Sequence, residues 1–252
     1  MQSARVLERM EPYQYTLKRP VSCCGIGLHA GRTVNLTIKP APANSGIRFV
    51  RSDLVTNQTI PAHMRQVVDT RLATTLGNGS TRVATTEHLL AALHGSGIDN
   101  AEIELDSYEV PIMDGSAAPF LRLLANGGRR KQRALRRVLR ITKPVSYVDG
   151  AKTIRIEPYD GFKVTGHIDF ADGVIGDQEY SIDVTAERFR KEIAQARTFG
   201  FVEQVENLWA NGLALGGTLE RVIAIHWDRR TIRNADGLRF DDEFVRHKVL
   251  DL

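Results

Sequence analysis

Short alternating stretches dominate the first third of the chain. Apolar and polar positions alternate over 16–23, 32–39 and 46–51, which predicts strands, and the run PAPANSG at 40–46 marks a turn between the last two. The period then changes. Thr85 or Thr86 is placed to cap a helix carrying Leu89, Leu90, Ala91, Ala92 and Leu93, and Gly95-Ser96-Gly97 terminates it. Alternation returns at 101–105, followed by a second helix over 118–125. The order recurs further on: strands at 138–148, 153–158 and 163–170, helices at 186–195 and 206–211, a strand at 222–227, and a closing helix from Asp241 or Asp242 to the end. Two related α+β domains, 14–128 and 138–252, account for this order better than regular βαβ alternation. A flexible extension over 1–13 and a basic linker over 129–137 complete the expected organisation.

Composition narrows the class. With 252 residues, 42% hydrophobic and 25% charged, the chain has material for one large core or two ordinary ones. A formal charge of +4 is too mild to indicate nucleic acid, but eight of the 15 residues at 129–143 are Lys or Arg. That run reads first as a solvated interdomain segment, and second as a surface attracted to an anionic membrane or a phosphorylated substrate. Aromatics are 7% of the chain and do not interleave with the basic run, which weakens a nucleic-acid platform. Adjacent Cys23 and Cys24 suit a reducing compartment better than a structural disulfide. No signal peptide is apparent, and no segment approaches the roughly 20 apolar residues of a membrane span. A cytoplasmic monomer is expected, with peripheral membrane proximity but no transmembrane segment.

Candidate chemistry is concentrated in two distant segments, Thr85-Thr86-Glu87-His88 and 243–251 (EFVRHKVLD). On a helix, His247 and Asp251 share a face by their four-residue spacing. His88 can complete a His2Asp zinc site, with Glu87 beside it as a base. The plainer readings are a hydrogen-bonded core histidine at 88 and an exposed helix with a His–Asp pair at 247 and 251. Lys248 and Thr198 are candidates to stabilise an oxyanion, against a surface lysine and a turn hydroxyl. The glycines of Cys24-Gly25-Ile26-Gly27 and Leu215-Gly216-Gly217 have neither dinucleotide nor triphosphate-loop spacing; tight turns or close approach explain them.

Together these segments resemble the zinc-dependent UDP-3-O-acyl-N-acetylglucosamine deacetylase family of Gram-negative bacteria. The resemblance runs from about Tyr15 onward, through Gly25-Ile26-Gly27-Leu28-His29, Thr86-Glu87-His88-Leu89, Gly97-Ile98-Asp99-Asn100, PIMDGSAAPF at 111–120, ARTFG at 196–200, GLRF at 237–240 and DEFVRHKVLD at 242–251. It implies two related α+β domains with Zn2+ between them, bound by His88, His247 and Asp251. Water attacks the N-acetyl carbonyl, Glu87 accepts its proton, and Thr198 and Lys248 stabilise the oxyanion together with the metal. The substrate is an acylated UDP-N-acetylglucosamine, and acetate leaves in a step of lipid A synthesis.

An element inserted in the second domain of the family forms a hydrophobic passage for the acyl chain. Phe199, Phe201, Val205, Leu208, Trp209, Leu213, Ala214, Leu215 and Gly217 lie in the matching region. The resemblance also implies further helix, strand and an acid histidine beyond Leu252, so a C-terminally truncated second domain with exposed apolar surface is expected. The alternative is a family member that binds metal or ligand without significant catalysis. Two stretches depart from the family pattern, Ala171–Gly176 and Thr218-Leu219-Glu220-Arg221, where the longer Glu220 and charged Arg221 bear on substrate fit.

Overall fold

The computed structural model describes residues 11–55, 58–170 and 173–252. The strands of the first half are β1 (Tyr13–Leu17), β2 (Val21–Ile26), β3 (Thr33–Pro40), β4 (Ile47–Arg51), β5 (Thr59–Pro61), β6 (Val67–Asp69), β7 (Thr75–Asn78), β8 (Thr81–Val83) and β9 (Ala101–Leu105). Its helices are α1 (Glu87–Gly95) and α2 (Ala118–Gly127). A five-stranded sheet of order β2-β3-β9-β4-β5 forms the platform, antiparallel except for the β4–β9 pair. Alternation decides its inner face: Val34, Leu36 and Ile38 of β3 and Ala101, Ile103 and Leu105 of β9 are buried. They pack with Leu89, Ala92 and Leu93 of α1 and Phe120 and Leu124 of α2. Strands β6, β7 and β8 make a separate small antiparallel sheet.

The strand expected over 16–23 is two strands, because Pro20 has no N–H to give a ladder and breaks the run. Of the extension expected over 1–13, residues 1–10 lie outside the described residues, and Tyr13 already opens β1. The basic segment expected as a linker is instead a strand. β10 (Arg129–Leu135) pairs antiparallel with β1. Its side chains are accommodated because Arg129 and Lys131 stack over the rings of Tyr15 and Tyr13, while Gln132 turns inward to donate to the Ala41 carbonyl. Arg136 follows, fixed to both carboxylate oxygens of Asp99.

The second half contains the hairpins β11 (Val145–Asp149) with β12 (Lys152–Ile156), and β13 (Lys163–Phe170) with β14 (Gly176–Asp183). The expected strand over 138–148 is regular only in β11, since Pro144 interrupts what precedes it. Helix α3 (Ala186–Arg188) continues as a π-helical turn over Phe189–Ile193. The parallel pair β15 (Phe199–Phe201) and β16 (Ile223–Ile225) flanks helix α4 (Val205–Ala210), and α5 (Glu243–Leu250) closes the chain against β13 and β14. Residues 171 and 172 of the departing stretch 171–176 lie outside the described residues.

One apolar core crosses the expected domain boundary. Ile182, Phe189, Ile193, Val249 and Leu250 belong to the same cluster as Leu89, Leu93 and Phe120. A smaller cluster of Ile175, Ile223, Ile225 and Phe244 lies beneath β15 and β16. Each such buried side chain contributes about 1.5–3 kcal/mol, so the helices α1 and α5 are held against each other by shared core rather than by surface contact.

Candidate metal centre

α1 and α5 meet at their functional ends. Thr86 precedes α1, and both its N–H and its hydroxyl donate to the Thr74 carbonyl, at 3.3 and 3.1 Å. The Thr74 N–H in turn donates to both Glu87 carboxylate oxygens, at 3.3 and 3.1 Å. This short segment aims Glu87 and His88 at the facing helix.

His88 Nε2 lies 3.0 Å from His247 Nε2, and the two rings stand edge to face with centroids 5.0 Å apart. Asp251 Oδ1 is 3.8 Å from His88 Nε2, and Asp251 Oδ2 is 3.4 Å from His247 Nδ1. One donor atom from each residue falls within 4.8 Å of the others. His88 and His247 are 4% and 2% exposed, so the exposed-helix reading of the terminal segment is overturned. Asp251 caps α5 rather than lying within it, its N–H donating to the His247 carbonyl.

Burial first, and for His88 the neighbouring His247 second, pushes both imidazoles far below their ordinary range and keeps them neutral. A neutral imidazole offers a lone pair. His88 Nδ1, His247 Nδ1 and Asp251 Oδ1 are buried without a hydrogen-bond partner. The two Nε2 atoms face each other at 3.0 Å with the unpartnered Asp251 Oδ1 beside them, and a cation is the group that would satisfy lone pairs converging in this way. Glu87 is raised to about 7, chiefly by burial, with Asp251 adding to the rise and Lys248 opposing it. A carboxyl poised near neutrality suits a general base.

Lys248 donates to Asp251 Oδ2 at 3.1 Å and stands 5.4 Å from the Phe199 ring centroid. Thr198 leads into β15, its N–H bonded to the Gly115 carbonyl and its carbonyl to the Ile223 N–H. The next residue joins two parts of the site: the Phe199 ring packs 5.0 Å from Phe244 and 6.4 Å from His247. On its other side Phe199 lines an apolar cavity of about 460 Å³, together with Phe201, Val205, Leu208, Ala214 and Gly217. Thr198 and Trp209 also reach this cavity. Leu213 does not. It sits in the turn closing α4, where its N–H donates to the Leu208 carbonyl, so its place in the lining is corrected.

The two glycine turns set aside as phosphate loops pack on each other. The Gly216 N–H donates to the Leu28 carbonyl, and a Cβ on Gly216 would lie 2.2 Å from the Gly27 carbonyl oxygen. Close approach, not phosphate, explains them. Of the departing residues, Thr218 lines the cavity and Arg221 donates to the Gly216 carbonyl at 3.0 Å.

Sequence reasoning missed the carboxylates behind the site. Glu243, one turn before His247, is fully buried and accepts from Arg197 Nε, Arg197 N and Arg239 N. The signal was the arginine of the 196–200 motif, next to Thr198. His29 was quoted within a motif without a role; its ring lines the cavity and its Nδ1 accepts the Ala214 N–H at 3.4 Å.

A group of two histidines and an aspartate able to hold a cation, with a buried carboxylate beside it and an apolar cavity joined to it by Phe199, fits a metal-dependent hydrolase of α+β fold. The chain belongs to the UDP-3-O-acyl N-acetylglycosamine deacetylase family, whose model matches residues 14–252. A UDP-3-O-acyl-N-acetylglucosamine deacetylase of Myxococcus xanthus is 51% identical over 245 residues, which cover 96% of this chain and 77% of the relative. Enzymes of the same name from Acidithiobacillus ferrooxidans and Idiomarina loihiensis are 50% and 51% identical, each over 94% of this chain and 78% of the relative.

Proposed function

We propose that this chain hydrolyses the N-acetyl amide of UDP-3-O-acyl-N-acetylglucosamine, giving acetate and the free 2-amino sugar nucleotide in lipid A biosynthesis, with Zn2+ as its metal. The observation that carries this reading is the convergence of His88, His247 and Asp251, with the Glu87 carboxyl near enough to feel Asp251 and Lys248, at a point joined to the apolar cavity by Phe199. A set of two imidazoles and one carboxylate suits zinc, which when bound polarises a carbonyl and acidifies water.

The residues divide the work. His88, His247 and Asp251 hold the ion. Glu87 takes the proton of the attacking water at its carboxylate, and that proton passes to the departing amine as the amide bond breaks. The Thr198 hydroxyl and the Lys248 ammonium donate to the carbonyl oxygen as it gains charge; Lys248 has three N–H bonds, so one can remain on Asp251. Phe199, Phe201, Val205, Leu208, Ala214 and Gly217 take the acyl chain, excluding water along its length.

We place the reaction in the cytoplasm, carried out by a monomer close to a membrane face. Free Cys23 and Cys24 support the compartment, and basic β10 supports the proximity. No helix among the described residues is long and apolar enough to cross a membrane.

The test is the identity of the product. Zinc-loaded protein incubated with the acylated UDP-N-acetylglucosamine should yield, by mass spectrometry, a nucleotide sugar that keeps its acyl chain and gains a free amine. His88→Ala should yield none. Release of fatty acid or of uridine monophosphate in place of acetate would sink the assignment, as would substrate binding with no turnover.

A further inference from the structure

A second buried carboxylate stands behind the site. Glu109 has no exposed surface, and none of its hydrogen-bond donors carries a charge. Its ligands are neutral: the N–H of His29 at 2.9 Å and the hydroxyl of Thr85 at 2.9 Å on Oε1, and the N–H of Ala30 at 2.8 Å on Oε2. Carboxylates are seldom buried on neutral donors alone, because the loss of hydration is large. Here the backbone has made room for one. A Cβ on Gly27 would lie 2.5 Å from Glu109 Oε2.

The hydroxyl partner is itself unusual. Thr85 is 4% exposed and has φ +56, a left-handed conformation that a β-branched side chain strongly disfavours. Such strain persists only where surrounding bonds fix it, and it concentrates at working sites. Ala84, just before, is bridged to the Glu109 strand through the Ala84 N–H to the Tyr108 carbonyl and the Val110 N–H to the Ala84 carbonyl. Thr86, just after, is pinned to Thr74. Thr85 therefore links two neighbours fixed by hydrogen bonds, and its left-handed conformation sets the line along which Glu87 and His88 leave.

The same carboxylate fixes the other wall. Its two backbone donors belong to the turn of His29, whose ring lines the apolar cavity and whose carbonyl accepts the Leu215 N–H.

We propose that Glu109 is a positioning residue: by anchoring the Thr85 hydroxyl it holds Thr85 left-handed and so aims Glu87 and His88, and through the His29 turn it keeps that aim in register with the cavity wall. This rests on the deacetylase reading for its kinetic consequence, but not for its effect on the metal ligand His88.

The experiment uses Thr85→Val, which keeps shape and loses the hydroxyl, beside Thr85→Ser, which keeps the hydroxyl, and Glu109→Gln. Two quantities are read on the full chain: zinc affinity by competition with a chromophoric chelator, and kcat and KM for acetate release. A misplacement of about an ångström costs roughly a hundredfold in rate. Thr85→Val should therefore lower kcat by about tenfold to a hundredfold, with KM little changed, and weaken zinc binding. Thr85→Ser should return both to near the parent values. Glu109→Gln, if it folds, should behave as Thr85→Val. The proposal is overturned if Thr85→Val lowers only the melting temperature while kcat and zinc affinity hold, or if Thr85→Ser fails as badly as Thr85→Val. If the parent releases no acetate but zinc affinity still follows the hydroxyl, the positioning role stands and the deacetylase reading falls.

Discussion

Replacing Glu243 by Ala is the most severe single change the site region offers outside the metal ligands. The Glu243 side chain is 0% exposed and its partner Arg197 is 3% exposed, so neither charge has water to fall back on. Removal strips Arg197 Nε of its acceptor, takes one of two acceptors from Nη2, and leaves the N–H groups of Arg197 and Arg239 unpaired. The guanidinium keeps only Asp236 and the Gly237 carbonyl. Breaking a buried pair from one side costs about 3–5 kcal/mol, against a total stability of about 5–15 kcal/mol. For a chain of this size each kcal/mol is worth roughly 2–4 °C. Glu243→Ala should therefore lower the urea midpoint steeply at unchanged slope, and Glu243→Gln, which keeps one acceptor, should cost less. The double change Arg197→Met with Glu243→Leu removes both charges and should be far milder than either half alone. Urea titrations followed by circular dichroism read Glu243→Ala, Glu243→Gln, the double change and each of its halves. Losses that simply add across the double change, or a Glu243→Ala cost below about 1 kcal/mol, would refute the reasoning.

Other consequences follow from the same geometry. In metal-free protein the two imidazoles have folded pKa values below their unfolded ones, so the stability they contribute is present above about pH 6.5 and is lost as pH falls; the melting temperature of chelated protein should drop from pH 7.5 to pH 5.5 and recover with zinc. Glu87 has the opposite sign, its folded pKa being raised to about 7, so its contribution is full below about pH 4.5 and lost as pH rises through 7. Metal-free Glu87→Gln should accordingly melt higher than the parent at pH 8 and not at pH 4. Thr198→Val should lower kcat by about a hundredfold if its hydroxyl serves the oxyanion, and an unchanged kcat would remove it from that role. Leu208→Trp, which fills the cavity, should raise KM for long-chain substrates and spare short-chain ones; equal effects on both would show that the acyl chain lies elsewhere.

Much of the site could be read before the fold because its chemistry is local. The i, i+4 spacing of His247 and Asp251 and the adjacency of Glu87 and His88 are properties of single helical turns, and α5 and α1 deliver them. Strands with one buried face, such as β3 and β9, announce themselves by alternation. What escaped was long-range. Nothing local tells that the basic residues of 129–135 lie along β1 with tyrosine rings beneath Arg129 and Lys131, and a basic run in isolation looks solvated. The burial of Glu243 drew no attention in the sequence because its partner is 46 residues away. Glu109 gave no sign at all, since its three donors come from turns 24 and about 80 residues distant. The core, too, ignored the expected boundary, because Phe189 and Leu250 share one apolar cluster with Leu89 and Leu93 of α1 as well as with Ile182 and Ile193 of their own half.

The most direct measurement is a metal titration of the chelated protein with acetate release as the readout. Activity should be absent without metal, rise in proportion to added zinc, and saturate at one ion per chain, while His247→Ala and Asp251→Ala bind weakly and stay inactive. Full acetate release from metal-free protein, or saturation unaltered by loss of either ligand, would contradict a centre built from His88, His247 and Asp251.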